Sequence, residues 1–333
     1  MQWQILAGLR FFLAWIVFCN HLRWFLPPES FLLKFNEFSA FSAVLGFLFI
    51  SGYSIADSLT KKSEGFYKRR FIRLYPLYFL GVIVSLVPFA FLNPEIQTPY
   101  GNFIFAKPHL KELIGNLLFM NGFIMKPISS NPILWTLSLE AFCYLIAPFL
   151  IKLNNKKIYF GVIFSAIAYL LYPYLNLPYY SHLEYGFGLV FLIWSWLLGF
   201  LYFREQTSKN AINIRILIIA IGCILLGANG FSKAKLEIFT YVLTCLTVIY
   251  SKSIKLPKIL LNIFEYLGNI SYPFYVFHIP ALIFGYYVLD INNAIELVFI
   301  SLIISLLFYY TVEIPIKRIR IKNNFTSNIN TLK

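Results

Sequence analysis

Four ionisable side chains, Arg10, His21, Glu140 and His278, lie inside long apolar runs of this chain, and Asp57 and Glu313 lie near the ends of two others. In hydrocarbon such groups cost several kcal/mol unless they are paired or face a cavity, so each marks a place where chemistry is expected. An imidazole, with an ordinary pKa of about 6.5, accepts a proton from a hydroxyl near neutral pH. A carboxylate can orient that ring and favour the imidazolium that forms.

Eleven positions separate Arg10 from His21, about 1100° at about 100° per residue, which returns them to within about 20° of each other on one helix face. Their axial separation is about 16 Å, so one face of one helix would line a path through much of a bilayer. Alternatively, Arg10 snorkels to one surface while His21 meets solvent at the other. In Phe66-Tyr-Lys-Arg-Arg-Phe-Ile-Arg-Leu-Tyr-Pro-Leu-Tyr78, Arg70 and Arg73 would project from one side of a helix. Two guanidiniums so placed suit phosphate, and equally suit a topological anchor; Pro76 is expected to fix the start of the apolar run that follows. In Leu134-Trp-Thr-Leu-Ser-Leu-Glu140 the carboxyl group sits about 12 Å into its run. There it lines a cavity with Ser138 or pairs with a cation to hold helices together. His278, in Ser271-Tyr-Pro-Phe-Tyr-Val-Phe-His278, is a second-rank candidate together with Ser271 and Tyr272, and a hydrogen-bonded packing role fits it as well. No metal is expected, because His21, Glu140 and His278 come from three separate runs without local ligand spacing. The Gly-x-Ser-x-Gly elbow and the Gly-x4-Gly-Lys phosphate loop are both absent from the sequence.

The elements that must position these residues follow from composition. Of 333 residues 59% are hydrophobic and 13% charged, against about 45–50% and about 25% in an ordinary soluble domain. A mean hydropathy of +0.71 and 20% aromatics exclude disorder and a water-soluble globule, leaving an all-α polytopic membrane protein. Apolar runs of about 20 residues predict ten spans, near 5–26, 39–60, 74–94, 132–151, 158–178, 184–203, 213–230, 237–251, 270–289 and 294–315. These runs are continuous, without the alternation of barrel strands. The first carries Arg10 and His21 and no small-residue cleavage pattern, so it is expected to be a retained helix.

The net charge of +14 would suggest nucleic acid in a soluble protein. Counted by segment, 20 of the 28 Lys and Arg residues fall in 61–73, 152–157, 204–215, 252–258 and 317–333, which alternate with spans. The positive-inside rule therefore places both termini in the cytoplasm and assigns the charge to orientation, with no nucleic-acid partner. The connection 95–131 falls outside, and Leu110, Leu113, Ile114, Leu117 and Leu118 predict an interfacial or re-entrant helix within it. Trp24 and Tyr179 read as interface-belt residues. Cys19, Cys143, Cys223 and Cys245 read as apolar packing residues, and His109 and His182 receive no role. One domain over 1–316, followed by a short basic cytoplasmic tail over 317–333, accounts for the chain.

Taken in order, these segments resemble the acyltransferase-3 family of integral membrane O-acyltransferases. The resemblance rests on Gly8-Leu-Arg10 with His21, Phe47-Leu-Phe-Ile-Ser-Gly52, Arg70-Phe-Ile-Arg73-Leu-Tyr-Pro76, Leu134-Trp-Thr-Leu-Ser-Leu-Glu140, Leu267-Gly-Asn-Ile-Ser-Tyr272 through His278, and Val312-Glu313-Ile-Pro315. It implies transfer of an acyl group, usually acetyl, from cytoplasmic acyl-CoA to a hydroxyl of a cell-surface or lipid-linked polysaccharide such as lipopolysaccharide or capsule, in a bacterial inner membrane. Acetyl-CoA is then the acyl donor substrate. His21 becomes the general base, Arg10, Arg70 and Arg73 the CoA-binding residues, and Glu140 with Arg10 the remaining catalytic groups. His278, Ser271 and Tyr272 become candidates for stabilising the thioester oxyanion or lining the acceptor path. Glu313 is expected to cap the last helix. Thr136 stands where the family usually has Ser, and Ala141 where a second Glu often follows. Many relatives carry a C-terminal hydrolase-like domain that this sequence lacks, which implies that the chain finishes transfer alone or uses a separate extracytoplasmic transferase partner. The rival readings are a transporter or flippase for an acylated or lipid-linked glycan, which needs gates but no base, and a membrane scaffold, which leaves the intramembrane charges unexplained.

Overall fold

A computed structural model of the chain describes residues 2–178, 180–209, 211–229 and 234–318. Tyr179, Lys233 and the tail beyond 318 lie outside the described residues. The ten apolar runs all form helices. In chain order they are α1 (Gln2–Leu22), α2 (Ala40–Lys61), α3 (Phe66–Val84), α5 (Leu134–Leu150), α6 (Asn155–Leu171), α7 (Phe187–Glu205), α8 (Ala211–Asn229), α9 (Glu237–Tyr250), α10 (Lys258–Ile283) and α11 (Ala294–Phe308). A further short helix, α4 (Leu110–Leu117), lies in the long connection. Among the described residues eight helical stretches are long and apolar enough to cross a membrane, two of them counted with the turns that continue α6 to Tyr174 and α11 to Arg318; α5 and α9 are shorter, at 17 and 14 residues. The outward faces are apolar: on α11, Ile295, Phe299, Ile303 and Leu307 recur every four residues and are all exposed, a ridge suited to lipid.

The ends of the helices sort as alternation requires. Gln2 at the start of α1 donates to the Tyr53 hydroxyl of α2 at 2.7 Å, and Tyr53 donates to Gln206 just past α7. Lys252, just past α9, donates to the same Gln206 at 3.0 Å. The basic segments therefore gather at one end of the bundle, called the basic end below.

Small residues set the closest helix contacts. A Cβ on Gly52 of α2 would stand 1.9 Å from the Trp196 carbonyl oxygen of α7, and one on Gly199 of α7 would stand 2.1 Å from the Phe49 carbonyl oxygen of α2. At this crossing the two backbones touch. Gly268 of α10 meets Ala7 of α1 in the same way, at 2.3 Å, which draws those two helices together along the face that carries Arg10.

Prolines inside helices free carbonyls, and the fold finds them partners. Pro76 lies inside α3, which begins at Phe66, ten residues ahead of it. The expectation that Pro76 starts the span is corrected: the basic segment is already helical, and the missing N–H falls among cavity-lining residues of the third span. Pro280 of α10 likewise leaves the Val276 carbonyl without its helical donor. The buried side chain of Asn131 supplies one, with Nδ2 donating to Val276 at 3.0 Å. Asn131→Ala should therefore lower stability by about 1–3 kcal/mol, the cost of orphaning a buried carbonyl. Thermal unfolding of the detergent-solubilised protein checks this, and an unchanged midpoint would mean that Val276 is satisfied some other way.

The connection between α3 and α5 holds more structure than the expected helix. Strands β1 (Glu95–Gln97) and β2 (Ile104–Ala106) form an antiparallel hairpin with Ile96 opposite Phe105. Phe103 stacks on Trp24 at 4.4 Å and Phe105 on Phe25 at 5.7 Å. Trp24, expected at the membrane interface, is instead buried beneath this hairpin, because the hairpin's own aromatic face covers it. Helix α4 follows, its first turn closed by Glu112 accepting from the His109 N–H at 3.0 Å. A buried cluster ties it to α3: Asn121 donates to the Tyr78 hydroxyl and to Asn116 Oδ1, both at 2.8 Å.

Candidate active site

A cavity of about 330 Å3 enters the bundle from the basic end between α1, α2, α3, α5, α10 and the continuation of α11. Lys317, Glu313 and Arg73 line it near that end, Arg10 and Glu140 lie further in, and Thr136, Phe47 and Tyr275 are among its innermost residues. The helices explain the gradient. Arg73 enters from the first half of α3, Arg10 from the middle of α1, and Thr136 from the first turn of α5, which begins at the opposite end.

The polar wall is wired across helices. Glu140 Oε1 accepts from the Ser51 hydroxyl of α2 at 3.2 Å and from the Tyr144 hydroxyl one turn along α5. Trp196 Nε1 of α7 in turn donates to Ser51 at 3.3 Å. The charges surrounding Arg10 are Arg73, Glu140 and Glu313, and its Nε has no protein acceptor. A guanidinium nitrogen left so in a cavity wall is a ready donor for an anionic guest.

Beyond the inner end of the cavity two imidazoles meet. His21, at the last turn of α1, places Nδ1 3.0 Å from Nε2 of His278 on α10. The other nitrogen of His278, Nδ1, is 2.8 Å from the Tyr275 carbonyl and 3.1 Å from that of Phe274. A lone pair aimed at two carbonyl oxygens would be repelled, so His278 Nδ1 carries hydrogen and, in the neutral pair, His278 Nε2 accepts from His21 Nδ1–H. His21 Nε2 then keeps its lone pair. Trp24 covers the ring on the side of the hairpin, with centroids 4.9 Å apart.

Residues 3–313 match the family model described as "Acyltransferase domain". The chain belongs to the acyltransferase-3 family. It is accordingly an acyltransferase built as a multi-pass helical membrane protein. It is also similar, at 25% identity over 254 residues that cover 70% of each chain, to a protein of Acidianus two-tailed virus named "Putative acetyltransferase ORF330". No solved structure matches it.

In this acyltransferase Arg10, Arg73 and Glu140 share the cavity, along with Ser271 and Tyr272. Arg70, one turn before Arg73, lies instead over the rings of Phe66 and Tyr144, at 5.4 and 5.7 Å, behind the wall. His21 and His278 lie together outside the cavity lining. The carboxylate expected to orient the His21 ring, Glu140 or another, is not the group that bonds it: that is His278, and Glu140 instead accepts from Ser51 and Tyr144 on the cavity side. Glu313 does not end its helix, which runs on through a π-helical turn, Tyr309–Glu313, and beyond it. Its carboxylate instead pairs with Lys317 at 2.8 Å in the cavity wall. Sequence reasoning passed over Ser51, Tyr144 and Tyr275, whose residue types are unremarkable within apolar helices. Ser51 and Tyr275 do lie within quoted motifs, Phe47–Gly52 and Ser271–His278, whereas Tyr144 lies outside all of them.

Proposed function

We propose that this protein moves an acetyl group from cytoplasmic acetyl-CoA to a hydroxyl of a cell-surface or lipid-linked glycan, as an integral protein of a bacterial inner membrane. The observation that supports this most is a cavity with basic side chains that starts at the positively charged end and stops beside a histidine pair in which one nitrogen is left basic. Arg73, Lys317 and Arg10 hold the donor's phosphates, and the pantetheine arm extends inward toward Thr136 and Tyr275. The acceptor hydroxyl approaches from the other side, where Trp24 and the β1–β2 hairpin cover His21.

His21 Nε2 takes the hydroxyl proton as the oxygen attacks the thioester carbon. The new C–O bond forms, the C–S bond breaks, and the proton passes from the imidazolium to the departing sulfur. His278, held by two backbone carbonyls, fixes the His21 tautomer, much as the third member of a triad does. Glu140 balances the guanidiniums of the donor cavity.

The test is purified protein in lipid vesicles with radiolabelled acetyl-CoA and a candidate glycan. Label in the glycan with release of CoA is the expected result; glycan movement across the bilayer without CoA release would replace this reading by a flippase. Arg73→Ala should raise the KM for acetyl-CoA by about 10–100-fold with little change in kcat, the loss of one charge-assisted phosphate contact of about 1.5–3 kcal/mol. A fall in kcat at unchanged KM would remove Arg73 from the donor site.

A further inference from the structure

We propose that Tyr275 is a catalytic residue of this acyltransferase, its phenolic O–H donating to the thioester oxygen as negative charge develops there. The proposal rests on the acetyl-transfer reading and adds to it the group that stabilises the oxyanion, a need that His21 cannot meet while it holds the acceptor's proton.

Hydroxyl accounting along the cavity wall singles this residue out. The Ser51 and Tyr144 protons go to the Glu140 carboxylate. Ser54 donates to the Ser51 carbonyl at 3.0 Å, and Ser271 to the Gly268 carbonyl at 2.7 Å. Tyr272 donates to the Leu74 carbonyl at 2.6 Å, so the two hydroxyls ranked beside His278 from the sequence are both held by backbone. Thr136 spends its one proton on the Ile133 carbonyl at 2.9 Å. Its oxygen, 2.9 Å from the Tyr275 hydroxyl, must then accept from Tyr275. Tyr275 alone among these groups rests its proton on a neutral hydroxyl, the weakest acceptor in the wall and the easiest to exchange for a substrate oxygen.

Placement agrees with the role. Tyr275 lines the innermost part of the cavity, and its ring lies 6.1 Å from that of His278, one turn further along α10. The carbonyl of the same residue anchors His278 Nδ1 at 2.8 Å. One stretch of α10 thus sets both the oxyanion donor and the support of the base. In the reaction Tyr275 keeps its proton: the acceptor's proton goes to His21 Nε2 and then to sulfur, while the Tyr275 hydrogen bond moves from Thr136 to the thioester oxygen and back.

Tyr275→Phe keeps the ring and removes the donor. In the vesicle assay kcat should fall about 10²–10³-fold with the KM for acetyl-CoA unchanged, the usual loss for one oxyanion donor. Thr136→Val, which removes the resting partner but no donor to the thioester oxygen, should lower kcat far less than Tyr275→Phe does. Equal losses in the two variants would make the pair a structural clasp and overturn the proposal. A direct signature comes from isotope-edited infrared spectra of 13C-acetyl-CoA bound to the wild-type protein without acceptor. The thioester carbonyl band should lie below its position in water-free solvent and return toward it in Tyr275→Phe. A band at the same position in both proteins would refute the donor role while leaving acetyl transfer intact, and wild-type protein that makes no acetylated product would overturn both.

Discussion

Replacing His21 by alanine should lower acetyl transfer by about 10²–10⁴-fold, the range for losing a positioned general base, while the helices stay folded. Its ring contributes little to the core that the rest of α1 does not already supply, since Leu13, Ile16, Val17 and Phe18 are all buried. His278→Ala should cost less. Without it the His21 ring loses the acceptor at 3.0 Å that fixes its tautomer but remains in place itself, so part of the population retains the productive tautomer. Initial rates for the two variants, read beside their thermal unfolding midpoints, check the order. A loss in His278→Ala as deep as that in His21→Ala, with both proteins folded, would shift the base from His21 to His278.

Gly52→Val should abolish accumulation of folded protein. Its Cβ would stand 1.9 Å from the Trp196 carbonyl oxygen, and the obstacle is helix backbone that cannot rotate away. Relief requires α2 and α7 to separate along the crossing where Gly199 meets the Phe49 carbonyl from the other side. Overpacking ordinarily costs about 1–3 kcal/mol, and a clash of backbone with a branched side chain lies at or beyond the top of that range, a large part of a stability of about 5–15 kcal/mol. The damage reaches the site as well, since the neighbouring Ser51 links Glu140 to Trp196. Gly227→Ala is the matched control. Its nearest neighbour would be Ile238 Cδ1 at 3.8 Å, so it should be neutral or gain up to about 1 kcal/mol of helix propensity. Yield of monodisperse protein after detergent extraction reports both; normal yield of Gly52→Val would show that the α2–α7 crossing can open without penalty.

The helices were legible because hydrocarbon imposes the same demand on every span: about 20 apolar residues with their backbone groups satisfied internally. Most of the ten runs could be placed from that demand alone to within a few residues. The third and the ninth begin earlier than expected: the Lys and Arg residues of 68–73 hid the first two turns of α3, and Lys258, Asn262, Glu265 and Asn269 hid the first three turns of α10, which starts at Lys258 and not near 270. The Arg10 and His21 periodicity belonged to the sequence for the same reason, since both angle and rise are properties of a single helix. The β1–β2 hairpin was hidden because its strands are three residues each and their pairing depends on aromatic contacts with Trp24 and Phe25 from another part of the chain.

Partner choice was the part that sequence left open. Four titratable groups announced themselves by lying where lipid should exclude them, and that established where chemistry could occur. Which of them meet depends on how α1, α5 and α10 rotate and slide against one another, and that is settled by shape: Gly268 against Ala7, Gly52 against Trp196, Asn131 under the carbonyl that Pro280 frees. Those contacts turn Glu140 toward the guanidiniums and bring His278 to His21. The sequence by itself determined a ten-helix membrane acyltransferase with a basic end and a histidine across from it. Only the tertiary packing decided that the histidine's partner is a second histidine and that a tyrosine of the cavity wall stands beside them, because a hydrogen bond needs a register of a few tenths of an ångström that no single helix carries.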